Sequence, residues 1–277
     1  MTSGNSFQDK LDARIGAADS LLCVGLDPVP EKMPASFDRS PESVLAFCTA
    51  IIEATHDLAA TYKPNLAFFM ALGVRGLEIL EAVRKAIPAD IPVMLDGKLN
   101  DMGETAKAYS KAVFDVLGFD ALTVAPYLGE DALAPYLNAQ GKGVIVLCKT
   151  SNPGSGDLQD LPQTSGEPLY LHIADRCQIW NQQYPADVGM VVGATYPDQL
   201  AEIRRRCPDQ VILLPGVGAQ GGDIAASVRA GVDANGSRLL CSSSRSIMYA
   251  DSGEDFAKAA RAEANRLRDE INRYRNA

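Results

Sequence analysis

Eight short apolar runs alternating with helix-spaced segments constrain what this chain can fold into more than anything else in it. The runs are L-L-C-V-G-L-D-P (21–28), T-Y-K-P-N-L-A-F-F (61–69), P-V-M-L (92–95), A-L-T-V-A-P-Y (121–127), G-V-I-V-L-C-K (143–149), D-V-G-M-V-V-G-A-T (187–195), V-I-L-L-P (211–215) and S-R-L-L-C-S-S-S-R-S (237–246). Residues 6–18, 41–60, 73–87, 103–117, 131–140, 169–184, 197–206 and 255–273 carry helical spacing around them, with Ser40 ahead of Pro41 at a helix start. Near-continuous apolar strands are those buried on both faces, as in a parallel sheet covered by helices. Eight such units with none left over predict a (β/α)8 TIM barrel, with residues 1–277 as one domain. An open doubly wound sheet is the alternative, because strand order is not written in a single sequence.

A chain of 277 residues, 47% hydrophobic, has the apolar material for one barrel-sized core. Its formal charge of −9 and pI near 4.8 argue against nucleic acid or an anionic membrane as partner, so any bound anion must meet a local site. The cysteines, Cys23, Cys48, Cys148, Cys177, Cys207 and Cys241, lack C-x-x-C spacing and several sit in apolar runs. That suits buried thiols in a reducing compartment better than disulfides or metal ligands. His56 and His172 are the only histidines, both in helical segments, which leaves little material for histidine catalysis or a histidine metal site. The N-terminus lacks a basic-then-apolar leader, and no run of about 18 apolar residues occurs, so a soluble, cytoplasmic protein is expected.

The charges that demand an explanation follow the third apolar run, in V-M-L-D-G-K-L-N-D-M-G-E-T (93–105). At an extended strand end Asp96 and Lys98 project to the same side, with Asp101 just beyond. Carboxylates and an ammonium at the mouth of a buried strand are costly to desolvate unless paired. The cluster is therefore a salt-bridge network or a reaction centre, and a solvated charged loop is the commoner fate of any D-x-K-x-x-D string. Barrel enzymes carry their working residues at strand C-termini and commonly bind phosphate after strands seven and eight. Asp27, Lys63, Asp96, Lys98, Ser151, Gln220 and Arg245 all fall at such ends. In P-G-V-G-A-Q-G-G (215–222) glycines let backbone N–H groups approach an anion, and Arg245 one unit later can add a forked contact to phosphate.

The set Y-K-P-N, D-G-K-L-N-D-M-G-E-T, S-N-P-G, P-G-V-G-A-Q-G-G and S-R-S-I closely resembles the orotidine 5'-phosphate decarboxylase family, in its longer bacterial branch, over residues 21 to about 249. The resemblance implies decarboxylation of orotidine 5'-monophosphate (OMP) to UMP in pyrimidine synthesis, without metal or other cofactor. It assigns Lys63, Asp96, Lys98 and Asp101 to a Lys-Asp-Lys-Asp array around the scissile carboxylate. A homodimer is implied, Asp101 and Thr105 serving the neighbouring subunit's site. Asp27 matches the ribose-binding carboxylate, Ser151 the serine at the pyrimidine, and Gln220 and Arg245 the phosphate ligands. Met102, where the family usually has isoleucine, and the small Gly97 are mild departures that bear on packing.

Residues 150–167 form a long connection whose glycines suit a movable lid, with plain disorder as the competing expectation. A related barrel sharing D-x-K-x-x-D, a sugar-phosphate decarboxylase, is the nearest rival; its chemistry wants a divalent metal, and no extra carboxylate cluster is evident for one. A catalytically silent nucleotide-binding barrel is a further alternative. Duller expectations attach elsewhere: Glu104, Lys107 and Lys111 as a solvated helix face, Arg204–Arg206 as cations at a helix C-terminus, and Trp180 as core.

Overall fold

The computed structural model describes residues 6–217 and 223–275. Eight strands carry the sheet: β1 (Leu22–Leu26), β2 (Thr61–Pro64), β3 (Met94–Leu99), β4 (Ala121–Val124), β5 (Gly143–Lys149), β6 (Asp187–Val192), β7 (Ile212–Pro215) and β8 (Leu239–Ser243). Neighbours are hydrogen-bonded in the order β2-β1-β8-β7-β6-β5-β4-β3, every pair parallel. The ends meet through two parallel bridges, Tyr62 with Val93 and Asn65 with Asp96, and the sheet is a closed (β/α)8 barrel. The open-sheet alternative is thereby excluded.

The helices are α1 (Phe7–Ala18), α2 (Pro41–Thr55), α3 (Leu66–Met70), α4 (Val74–Ala86), α5 (Gly103–Lys111), α6 (Glu130–Leu137), α7 (Gly156–Gln159), α8 (Leu169–Gln183), α9 (Pro197–Arg206), α10 (Ile224–Gly231), α11 (Arg245–Met248) and α12 (Phe256–Arg275). Helix α1 starts on a reciprocal capping box between Ser6 and Asp9 and lies under the strand starts. There Phe7 N–H donates to Gly141 O at 2.9 Å, and Gln8 N–H to Asp187 Oδ2 at 2.8 Å. Gly143 opens β5 because a Cβ there would lie 2.5 Å from the Phe7 ring. At the other end of the sequence, α12 buries Ala260, Ala264, Leu267 and Ile271, a stripe with helical spacing, and packs between α2 and α10. It is the eighth barrel helix.

Several segments depart from the expected pattern, among them α10, a helix after β7 where no helical segment was expected, and β3, which runs on to Leu99. The run 61–69 is not one strand: β2 ends at Pro64, and Leu66–Met70 is helical, because Asn65 caps it by accepting from Ala67 N–H at 3.1 Å. Helix 103–117 changes pitch at Lys111, continuing as a π-helical turn over Ala112–Val116. The connection 150–167 is folded, with a 3-10 turn at Pro153–Ser155, α7, and an antiparallel bridge from Pro162 to Pro168.

Candidate active site

β3 runs past its apolar start into the charged motif, and its pairing with β4 shifts register between Leu95 and Leu99. Lys98 sits inside that irregularity with φ +48°, a left-handed conformation that side-chain-bearing residues rarely hold. Its N–H donates to Thr123 Oγ1 at 3.0 Å, and Thr123 Oγ1–H donates to Asp96 Oδ1 at 2.9 Å. Thr123, the one polar residue of β4, thus fixes both the lysine backbone and the aspartate carboxylate.

Asp96 is the centre of the cluster. Lys63, from the end of β2, donates to Oδ2 at 3.0 Å, and Lys98 donates to Oδ1. Asn65 Nδ2 adds a longer contact of 3.4 Å to Oδ2. The side chains of Lys63 and Asp96 are 7% and 11% exposed, whereas Lys98 is 49% exposed at the open mouth. Burial favours the neutral acid at Asp96, but the ammoniums of Lys63 and Lys98 outweigh it and hold the carboxyl at about 2. Burial likewise works against charge on Lys63, and the carboxylates of Asp96 and Asp27 overcome it, so its ammonium titrates above the ordinary lysine range. Beneath it the Cys23 thiol is pushed up to about 11, by burial first, and stays neutral.

Asp27 follows β1 and is gripped from the loop and helix after β8. Ser244 Oγ–H donates to Asp27 Oδ2 at 2.7 Å, while Oδ1 is buried without a partner among the described residues. Tyr249 O–H donates to Asp27 O at 3.1 Å, and the same phenol accepts Val29 N–H at 2.7 Å. Arg245, the first residue of α11, is exposed next to Ser244. Ser151 lies at the root of the loop after β5, packed so closely on Gly193 that a Cβ there would lie 2.8 Å from Ser151 Cβ.

The structure therefore brings Lys63, Asp96, Lys98 and Asp27 to one end of the barrel, with Ser151 and Arg245 at strand ends on the same rim. Within one chain Asp101 stays outside the array, its Oδ1 accepting Met102 N–H at 2.7 Å, and Thr105 is exposed on α5. Gln220 lies outside the described residues.

Sequence reasoning missed Asn65, Thr123, Ser244 and Lys149. Lys149 ends β5 with its side chain 1% exposed, donating to Asp160 Oδ1 at 2.7 Å and lying 4.7 Å over the Tyr196 ring. The signal was available: like Lys63, it is a lysine closing an apolar strand.

Residues 20–261 match the model of the "Orotidine 5'-phosphate decarboxylase / HUMPS family". Over 271 residues the chain is 53% identical to the orotidine 5'-phosphate decarboxylase of Thermomicrobium roseum, covering 98% of this chain and 96% of that one. It is 51% identical over 268 residues to the enzyme of the same name from Roseiflexus castenholzii, covering 96% and 97%. The solved structure of Leishmania donovani OMP decarboxylase superposes with a TM-score of 0.86 at 42% identity, covering 98% of this chain and all of that one. With a barrel that carries the Lys63–Asp96–Lys98 cluster at its mouth, the chain belongs to the orotidine 5'-phosphate decarboxylase / HUMPS family.

Proposed function

We propose that the chain converts OMP to UMP and CO2, with the Lys63–Asp96–Lys98 cluster as its reaction centre. The observation that carries the reading is Asp96, a carboxylate held ionised between two ammoniums of unequal exposure. Loss of CO2 breaks the bond from C6 to the carboxylate carbon and leaves the electron pair on C6. Pre-set charge must then stabilise the carbanion. Lys98, the exposed cation of the cluster, is the group that can stand beside C6 and give it a proton, later regained from water. Lys63 is locked against Asp96 and holds it in place. Asp96 faces the scissile carboxylate, and the repulsion is relieved when neutral CO2 leaves.

In this reading Asp27 takes a ribose hydroxyl on its unpartnered Oδ1, Ser151 meets the pyrimidine, and Gln220 with Arg245 holds the phosphate. Phosphate binding, remote from C6, helps close the loop 150–167 over the base. The enzyme works as a homodimer in which the partner copy supplies Asp101 and Thr105. In support, among the described residues Lys98 pairs with Asp96 and makes no ion pair with Asp101 of its own chain, and the loops after β3 and β4 expose Met102 (61%) and Tyr127 (82%), apolar surface that a second copy would cover. The cytoplasm is its compartment: the cysteines are all free and buried, and no helix among the described residues is long and apolar enough to cross a membrane.

The sugar-phosphate rival is disfavoured by near-full-length identity to proteins named for the OMP reaction. The test is ultraviolet absorbance: the protein should discharge the OMP absorbance, in EDTA as well as without it. A wild-type protein that leaves OMP unchanged sinks the proposal, and activity abolished by EDTA revives the metal-dependent rival.

A further inference from the structure

The strut between the loop after β8 and the loop after β1 is not explained by the charge array. Ser244 sits directly before Arg245, and its hydroxyl donates to Asp27 Oδ2 at 2.7 Å. The next turn holds the same aspartate by its backbone. Met248 Sδ accepts Asp27 N–H at 3.1 Å, and Tyr249 O–H donates to Asp27 O at 3.1 Å. The approach needs Gly25 in β1, where any Cβ would lie 2.7 Å from Ser244 Cβ. One side chain and one short helix thereby fix the position and the rotation of a single carboxylate.

The rotation matters because the two carboxylate oxygens are not equivalent. Oδ2 is taken by Ser244, and Oδ1 is buried with no partner among the described residues. A buried acceptor without a donor is costly, so it is a place where a ligand hydroxyl is rewarded. With Oδ2 released, the carboxylate can turn about its Cβ–Cγ bond, and Oδ1 is no longer presented in one direction.

We propose that Ser244 is a positioning residue that orients Asp27 for the substrate ribose, joining the sugar contact to the segment that carries Arg245. The proposal rests on the reading of Asp27 as the ribose ligand. Because the bond lies within the protein and is formed before substrate arrives, its loss should weaken nucleotide binding more than the chemical step.

The variant is Ser244→Ala, which keeps the Cβ packed over Gly25 and removes only the hydroxyl. We measure kcat and KM for OMP, and calorimetric affinity for UMP, 2'-deoxy-UMP and 3'-deoxy-UMP, in wild type, Ser244→Ala, Asp27→Ala and the double variant. A charge-assisted bond of this kind predicts roughly a ten-fold rise in KM and a similar loss of UMP affinity, with kcat changed less than three-fold or so. The loss should vanish for the deoxy analogue that lacks the hydroxyl bound by Asp27, and Ser244→Ala should cost nothing further in the Asp27→Ala background, where no acceptor is left for it to orient. Equal losses for UMP and both deoxy analogues, or multiplying losses in the double variant, overturn the proposal and leave Ser244 a packing residue. If Asp27→Ala alone keeps the wild-type preference for UMP over both analogues, the ribose assignment itself is overturned, and this inference with it. Tyr249→Phe, which releases the backbone of Asp27 and of Val29 but leaves the carboxylate's own bond to Ser244, should give a smaller loss of the same selectivity, and a loss indifferent to the sugar counts against the strut.

Discussion

Lys63 Nζ lies 3.0 Å from Asp96 Oδ2, an ion pair in which Lys63 is buried, Asp96 is largely shielded, and the carboxylate's other oxygen is held by Lys98 and Thr123. Breaking such a pair from one side leaves a buried charge uncompensated. Asp96→Asn should therefore destabilise the fold by about 3–5 kcal/mol and abolish turnover. Urea unfolding at neutral pH checks the first and the absorbance assay the second. The pH dependence has a definite sign. Asp96 is held at about 2 against an ordinary 3.8, so its contribution is present above about 4 and is lost as pH falls toward 2. The stability gap between wild type and Asp96→Asn should narrow over that window. Lys63, raised above the ordinary lysine value, contributes fully below about 10.5 and loses its contribution only at more alkaline pH.

Lys98 makes the opposite kind of pair. Its side chain is half exposed, so its ion pair with Asp96 adds at most about 1 kcal/mol to stability. Lys98→Ala should fold with nearly unchanged thermal stability and lose at least ~10²–10⁴ in kcat, the range of general acid catalysis. Because φ is +48° there, Lys98→Gly should be no less stable than Lys98→Ala while equally inactive. Near-native turnover from either variant removes Lys98 from the reaction centre.

The parts of this molecule that were legible in the sequence are those set by period and by strand ends. Alternating apolar and helical segments gave the barrel, and the residues just past the apolar runs included Lys63, Asp96, Lys98 and Asp27. The rest depends on distances that no local pattern encodes. Thr123 looks like one polar interruption in A-L-T-V, and its bonds to both Asp96 and Lys98 exist only because β3 and β4 pair with a shifted register. Ser244 is one of three serines in a row, and only the fold brings it to Asp27, which lies 217 positions away along the chain. Asn65 ended a strand that composition alone would have extended, because its side chain caps α3.

The triplet Arg204–Arg206 illustrates the same limit and yields a prediction. Arg205 pairs with Glu202 in solvent and Arg206 bridges Glu167, Glu202 and Asp175, as a helix C-terminus leads one to expect. Arg204 instead is buried on the stripe that includes Leu200 and Ile203. Its guanidinium donates to the carbonyls of Gly231, Cys207, Pro208, Gln210 and Arg238 at 2.7–3.1 Å, tying the ends of α9 and α10 to the starts of β7 and β8. Burial draws it down to about 10, still charged at neutral pH. Arg204→Met leaves those carbonyls without their donor and should cost about 3 kcal/mol or more, with kcat in the cold nearly unchanged. A variant that melts like wild type contradicts the hub role.

Lys149 and Asp160 should control the order of the loop that carries Ser151. The amine is buried and the acid half exposed, so the two substitutions are not symmetric. Asp160→Asn strands a buried cation and should open the loop 150–167 to proteolysis and raise KM for OMP. Adding Lys149→Met removes the stranded charge, and the double variant should be more resistant to cleavage than Asp160→Asn alone. If the double variant is the more rapidly cleaved, the pair does not anchor the loop.

The proposed sharing of Asp101 between subunits makes a prediction that stability cannot imitate. Lys98→Ala chains and Asp101→Ala chains are each inactive as homodimers under this reading. In a mixed dimer, the site built on the Asp101→Ala chain has its own Lys98 and receives an intact Asp101 from the other chain. The second site lacks both. Random mixing makes half the dimers mixed, each with one working site of two, so co-refolding equal amounts should restore about a quarter of wild-type activity. If Asp101 serves the Lys98 of its own chain, neither chain can build a complete site, and mixing restores nothing.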